Sequence, residues 1–200
     1  LALMAWSHPE EKEIFSLDEF IKYFDLKDIK PVAPIFDIKK LEWMNGEYIR
    51  KTQNSKLKTQ IWEYLGKKYS EEIIEKTVPL IRDRIKKMSD YLSLCEFFFK
   101  EPEGFEIDLG SKVDLLKKIS EVLSQVGMWK ASVIGDEMQK LANVLKVKNS
   151  EFFMLLRVAV TGKKISPPLN ESMEILGKEK VLARLAKALA KRERLKKTML

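Results

Sequence analysis

Apolar residues recur at helical spacing through most of this chain of 200 residues. Leu57, Ile61, Trp62 and Leu65 share one face, and Gly66 closes that helix. A helix is expected near Glu71 to Lys76. Another follows, with Thr77 as cap, Pro79 in its first turn, and Ile81, Ile85, Met88, Leu92 and Cys95 as inner stripe. The run Phe97-Phe98-Phe99 must be buried, and Lys100-Glu101-Pro102-Glu103-Gly104 after it is the clearest internal boundary. Beyond it, Ser111 with Asp114 is expected to cap a helix carrying Leu115, Ile119, Val122 and Val126. Gly127 and Trp129 mark a turn, and a further helix carries Ile134, Met138, Leu141 and Leu145. Ser150 is expected to cap the helix after that.

The first fifty residues are less regular. LALMAW reads as the tail of a helix already under way, which suggests a fragment whose N-terminal part is missing. Ser16 and Glu19 form a capping box before a helix with Leu17, Phe20, Ile21 and Phe24 turned inward. Pro31 and Pro34 enforce extended chain up to Phe36. Helix resumes through Leu41 and Trp43, and Asn45-Gly46 breaks it, with Trp43 and Tyr48 assigned to the core.

The stretch from Phe152 to Gly177 organises the rest. It is an apolar helix containing one Arg, Arg157, and it stops at Thr161-Gly162, where glycine can take the left-handed conformation that ends a helix. Lys163-Lys164-Ile165-Ser166 then links to Pro167-Pro168, which opens a second helix closing at Gly177. On the residues alone two readings stand: ordinary hairpin punctuation with Arg157 on a polar stripe, or a rigid bend displaying polar groups to a ligand.

Composition narrows the class. Hydrophobic residues at 45% and charged residues at 34% describe a folded, helix-rich domain rather than a disordered segment. No apolar run approaches a bilayer-spanning length and no basic leader opens the chain, so a cytoplasmic address is expected. The formal charge of +7 has one source: from Lys178 to Leu200 nine basic residues face two acidic ones. Such a helix suits phosphates, an acidic membrane surface, or water alone.

Candidate chemistry is sparse. Cys95 alone permits no internal disulfide, and one Cys with His8, the one His, is too few for a structural zinc set. His8 beside Pro9 reads as a turn residue, and Cys95 as a small buried apolar group. Lys86-Lys87-Met88-Ser89 echoes a KMSKS loop, but Asp90-Tyr91 breaks the pattern and the period places it inside a helix. Gly162-Lys163-Lys164 lacks the second glycine of a phosphate loop. No catalytic residue and no metal site is expected here.

The string LLRVAVTGKKISPPLNESMEILGKE, Leu155 to Glu179, resembles the near-C-terminal signature of bacterial-type glutamyl-tRNA synthetases. FDIKKLEWMNGEYIR, Phe36 to Arg50, is similar to that family's segment downstream of its KMSKS loop, and LALMAWSHPEEKEIFSLDEFIKYFDL to the piece between. Glu47 departs from the family, which commonly has His there.

The resemblance implies a mainly α fold: a small stem-contact region with little or no sheet, at most two short strands, followed by a helical anticodon-binding cage of two bundles. The expected boundaries are 1–52, 53–103 and 104–200. By position it implies anticodon contacts from Arg157, Ser166, Pro167 and Leu169, loop shaping by Thr161 and Gly162, and phosphate contacts from Lys163 and Lys164. An Arg of the first bundle would join them, with Arg82 and Arg84 both open, and Asn45, Arg50 and Lys51 would touch the tRNA stem. The implied function is recognition of tRNA(Glu), with tRNA(Gln) as a further candidate, inside a monomeric ligase. ATP and Mg2+ serve the parent's catalytic domain, and this segment needs neither. The competing expectation is a free-standing helical interaction protein whose basic C-terminal helix meets nucleic acid or a membrane surface.

Overall fold

The computed structural model describes residues 2–30 and 35–198, and the side chains of all of these but Ser111 and 191–198. The expectation at Pro31 and Pro34, the cap assigned to Ser111 and the basic side chains beyond residue 190 therefore lie outside the described residues. The elements are α1 (Leu17–Tyr23), α2 (Ile38–Lys51), α3 (Asn54–Tyr64), α4 (Glu71–Ile81), α5 (Asp90–Cys95), α6 (Val113–Gln125), α7 (Ala131–Val144), α8 (Asn149–Thr161), α9 (Leu169–Leu176) and α10 (Lys178–Thr198). No strand occurs among the described residues, so the two short strands allowed for in the first fifty are not found there.

The first helix keeps half of its expected design. The Ser16 hydroxyl accepts the Glu19 N–H at 3.0 Å, while the Glu19 carboxylate pairs with Lys12 at 2.9 Å instead of reaching back to the cap. Phe20 and Phe24 turn inward, but Leu17 and Ile21 are exposed. They leave an aromatic cluster in which Trp6 meets Phe20 and Phe15 edge-on, with centroids 5.2 and 5.7 Å apart. His8 opens a turn as expected, its carbonyl accepting the Glu11 N–H at 2.9 Å, but its ring is buried in that cluster, with Nδ1 accepting the Glu10 N–H at 3.1 Å.

Helix α2 runs through Asn45-Gly46 to Lys51. A single interior glycine costs a helix only about 1 kcal/mol, and the missing Cβ leaves room for the Arg50 guanidinium, whose Nη1 would stand 3.3 Å from it. Trp43 and Tyr48, expected in the core, are exposed.

The next correction lies between α4 and α5. Thr77 sits inside α4 rather than capping a new helix, and Pro79 falls near its end. The Thr77 hydroxyl is within 2.8 Å of the Ile73 carbonyl and 2.7 Å of the Tyr91 hydroxyl. Residues 82–89 form turns, because the Asp90 carboxylate accepts the N–H groups of Lys86 and Lys87 at 2.9 and 3.1 Å. Lys86-Lys87-Met88-Ser89 therefore lies in a turn, not within a helix. Ile81 and Ile85 keep their buried positions across the break.

In the second half the core stripe of α6 is Leu116, Ile119 and Leu123, one residue round from the expected Leu115 and Val122. No side chain caps α8: it begins at Asn149, whose side chain exchanges hydrogen bonds with Gln139 at 3.0 and 3.1 Å, and Ser150 has no capping role. Helix α9 ties its neighbours together. The Glu174 carboxylate accepts the Ala131 N–H at 2.7 Å and so caps the start of α7, and Trp129 Nε1 donates to the Met173 carbonyl at 2.9 Å. At the start of α10, the Lys178 ammonium donates to the Val126 carbonyl at the end of α6, at 2.7 Å.

One continuous apolar cluster runs from Ile49 through α3–α5 and into α6–α10. Cys95 lies inside it, and burial pushes its thiol from 9.0 up to about 12. Because the thiolate is the reactive form, Cys95 is expected to resist a thiol reagent at pH 8 in the folded protein and to react promptly in urea. Prompt labelling under native conditions would contradict this burial.

Candidate nucleic-acid interface

The bend after α8 is built by its own residues first. Gly162 takes the left-handed conformation, φ +79°, and its N–H donates to the Val158 carbonyl. The Thr161 hydroxyl donates back to the Arg157 carbonyl at 2.8 Å and accepts the Lys163 N–H at 3.2 Å. A side chain at residue 162 has no room, since a Cβ would lie 2.9 Å from both the Gly104 carbonyl oxygen and the Pro102 Cβ.

Arg157 leaves the last turns of α8 and folds over the second half of the bend. Its Nη1 donates to the Pro167 carbonyl at 2.9 Å and to the Ser166 hydroxyl, which itself donates to the Pro167 carbonyl at 2.9 Å. From the other side Arg84 Nη1 donates to the Ser166 carbonyl at 2.8 Å, and Arg157 approaches the same oxygen at 3.4 Å. Two guanidinium groups from segments far apart in the chain thus meet at one residue. Among the described residues neither forms an ion pair with a carboxylate. Burial, and then the neighbouring Arg84 charge, push the Arg157 guanidinium below its ordinary value. The recorded bonds of both run through Nη1, so Nε and Nη2 keep donors for a ligand.

Arg82, the other first-bundle candidate, has a different neighbourhood. Its Nη1 donates to Asn54 Oδ1 at 2.9 Å and its Nη2 to the Arg50 carbonyl, so it locks the end of α2 to the start of α3. Of the stem candidates, Asn45 donates to the Lys86 carbonyl and Arg50 pairs with Glu47. Lys51 is exposed at the end of α2.

Several candidate residues at the bend are buried rather than displayed: Thr161, Gly162, Ser166, Pro167 and Leu169. Lys163 is turned inward as well, its ammonium donating to the Ser93 carbonyl at 2.8 Å. The exposed tip consists of Lys164 and Ile165, the latter 71% accessible. Ile165 was not singled out from sequence, although an apolar residue between a lysine and a serine in a bend was visible there. The supporting residues Glu106, whose carboxylate accepts the Lys164 N–H at 2.6 Å, and Arg184 were also not singled out. A cleft of about 490 Å³ adjoins the bend, bordered by Glu96, Lys100, Glu101 and Gly162. Among the described residues no group of His, Cys, Asp and Glu is placed to hold a metal ion.

An all-helical scaffold that converges two unpaired arginines on a glycine-capped, proline-rigidified bend matches one family directly: residues 55–189 fit the anticodon binding domain family, and the chain belongs to it. Its relatives by sequence are glutamate–tRNA ligases. That of Acidothermus cellulolyticus is 35% identical over 95% of this chain and 41% of its own length. That of Dehalococcoides mccartyi (strain ATCC BAA-2266 / KCTC 15142 / 195) is 32% identical over 96% of this chain and 43% of its own length. The chain therefore spans about two-fifths of these curated relatives. Among solved structures, a glutamate tRNA ligase from Elizabethkingia meningosepticum in complex with its amino acid superposes with a TM-score of 0.83 at 28% identity, covering 94% of this chain and 39% of that one. These matches do not favour the free-standing interaction protein.

Proposed function

We propose that this chain is the RNA-reading part of a glutamate–tRNA ligase and that its partner is tRNA(Glu), with tRNA(Gln) as the further candidate. The observation that carries this reading is the Arg84–Arg157 pair: two cations share one carbonyl, have no carboxylate partner among the described residues, and keep donors free. Such a pair favours an electron-rich ligand in the space before it, and unpaired bases present carbonyl and ring-nitrogen acceptors on their edges. Lys164 supplies a charge for a phosphate, and Ile165 supplies the exposed apolar surface that buried Leu169 does not. Ser166, Pro167, Thr161, Gly162 and Lys163 act by holding the bend in one shape, which is preorganisation rather than contact.

The remaining assignments follow the same reading. Residues 1–52 serve as the stem-contact region, with Lys51 facing RNA and Asn45 and Arg50 supporting it, and 53–103 and 104–200 are the two anticodon-binding bundles. Glutamate activation with ATP and Mg2+ belongs to the parent protein. The proposed setting is the cytoplasm, as a monomer, and no described helix is long and apolar enough to cross a membrane.

The two first-bundle arginines provide the test. Arg84→Ala is expected to lower the preference for tRNA(Glu) over the same tRNA with an altered anticodon by about tenfold, the worth of one charge-assisted hydrogen bond. Arg82→Ala is expected to leave that ratio unchanged and to lower thermal stability. The reverse pattern in a binding titration would show that the anticodon meets the other arginine.

A further inference from the structure

The tip of the bend is positioned by a residue from neither of its helices. Glu106 lies in the segment between α5 and α6, and it holds the bend at two points. Its N–H donates to the Gly162 carbonyl at 3.0 Å, and its carboxylate accepts the Lys164 N–H at 2.6 Å. The two bonds bracket Lys163, whose side chain is fixed in turn to Ser93. The same segment backs the turn, since Pro102 and Gly104 leave no space for a Cβ at residue 162. On the far side of the tip Arg84 and Arg157 fix Ser166. Lys164 and Ile165 are therefore displayed between two anchored points, one of which is a carboxylate.

We propose that Glu106 is a positioning residue for anticodon reading, setting where Lys164 and Ile165 stand relative to the Arg84–Arg157 pair. The inference rests on the RNA-reading role given above. It has a consequence that a simple structural contact lacks, because a carboxylate beside a face that meets phosphates repels RNA through its charge while serving the bend through its lone pairs. Those two effects are separable by substitution. Gln at residue 106 keeps an acceptor oxygen for the Lys164 N–H and removes the charge; Ala removes both.

The experiment compares the wild-type chain, Glu106→Gln and Glu106→Ala in binding tRNA(Glu) and an anticodon-altered tRNA(Glu), alongside amide hydrogen exchange at Lys164. Glu106→Gln is expected to bind both RNAs more tightly at low salt, with the anticodon preference and slow exchange retained. Glu106→Ala is expected to lose about tenfold of the preference and to exchange faster at Lys164, with little change in melting temperature. Equal preference in the wild-type chain and both variants overturns the proposal, as does failure of Gln to rescue, or unchanged exchange in the Ala variant. Loss of preference in Arg157→Ala with none in Glu106→Ala would sink this role and leave the RNA-reading function standing. A wild-type chain with no preference but with the exchange pattern described would instead remove the function and keep the clamp.

Discussion

Arg157→Ala is expected to weaken binding of tRNA(Glu) by about 2 kcal/mol, about thirtyfold in Kd, while leaving an unrelated tRNA unchanged. The size follows from two losses. The variant removes the donors that Nε and Nη2 hold toward the ligand, and it releases the Ser166 hydroxyl and the Pro167 carbonyl from the Nη1 that organises them. A guanidinium that is half-buried and already beside Arg84 gains more from an arriving acceptor than one in open water, since its own hydration is reduced. Arg157→Lys keeps a cation but not the planar fork, so it is expected to leave most of the loss for tRNA(Glu) in place and the unrelated tRNA again unchanged. Equal weakening for tRNA(Glu) and the unrelated tRNA in Arg157→Ala, measured by filter binding, would remove the base-reading role.

The largest effect on stability is expected at Arg184. It is the only arginine among the described residues that is buried, 3% accessible, and burial lowers its guanidinium from the ordinary value against the opposing pull of Glu101. Its hydrogen bonds converge on the ends of helical segments: Nη1 donates to the Val160 carbonyl in the last turn of α8 at 2.9 Å, and Nη2 to the carbonyls of Phe97 and Lys100 at 2.6 and 3.3 Å. A cation at the carbonyl ends of helical turns satisfies groups that have no partner within their own helix. Arg184→Met leaves those buried carbonyls unpaired and is expected to cost about 3 kcal/mol, lowering the melting temperature by about 6–12 °C for a chain of this size. Glu101→Gln, at the exposed end of the same contact, is expected to cost little. A calorimetric shift under about 2 °C for Arg184→Met would show that water replaces the guanidinium without loss.

Much of the scaffold is local in origin and was legible for that reason. The helical period from Leu57 onwards, the left-handed stop at Gly162 and the proline start of α9 each depend on residues a few positions apart. The errors have a common cause. At residues 82–89 the apolar stripe keeps its helical period, yet the Asp90 carboxylate takes up the amides of Lys86 and Lys87 and wins over propensity. At Gly46 an expected break was overridden by helix on both sides. In the candidate site the bend was found from sequence but its inside and outside were not. The Ser166 carbonyl is bound by Arg84 from 82 residues away and Lys163 by Ser93 from 70, contacts that no local pattern encodes. The same long-range bonds separate Arg84 from Arg82, two residues that sequence left equivalent.

The most direct test of the central claim is the affinity of this chain for tRNA(Glu) and for tRNA(Glu) with a replaced anticodon, across a salt series. A steep salt slope shared by both RNAs, with a constant offset favouring the native anticodon, is the expected result: phosphate attraction sets the slope and the Arg84–Arg157 site sets the offset. Superimposed lines would mean that charge alone binds the RNA, and the anticodon-reading site proposed at Arg157 would be wrong.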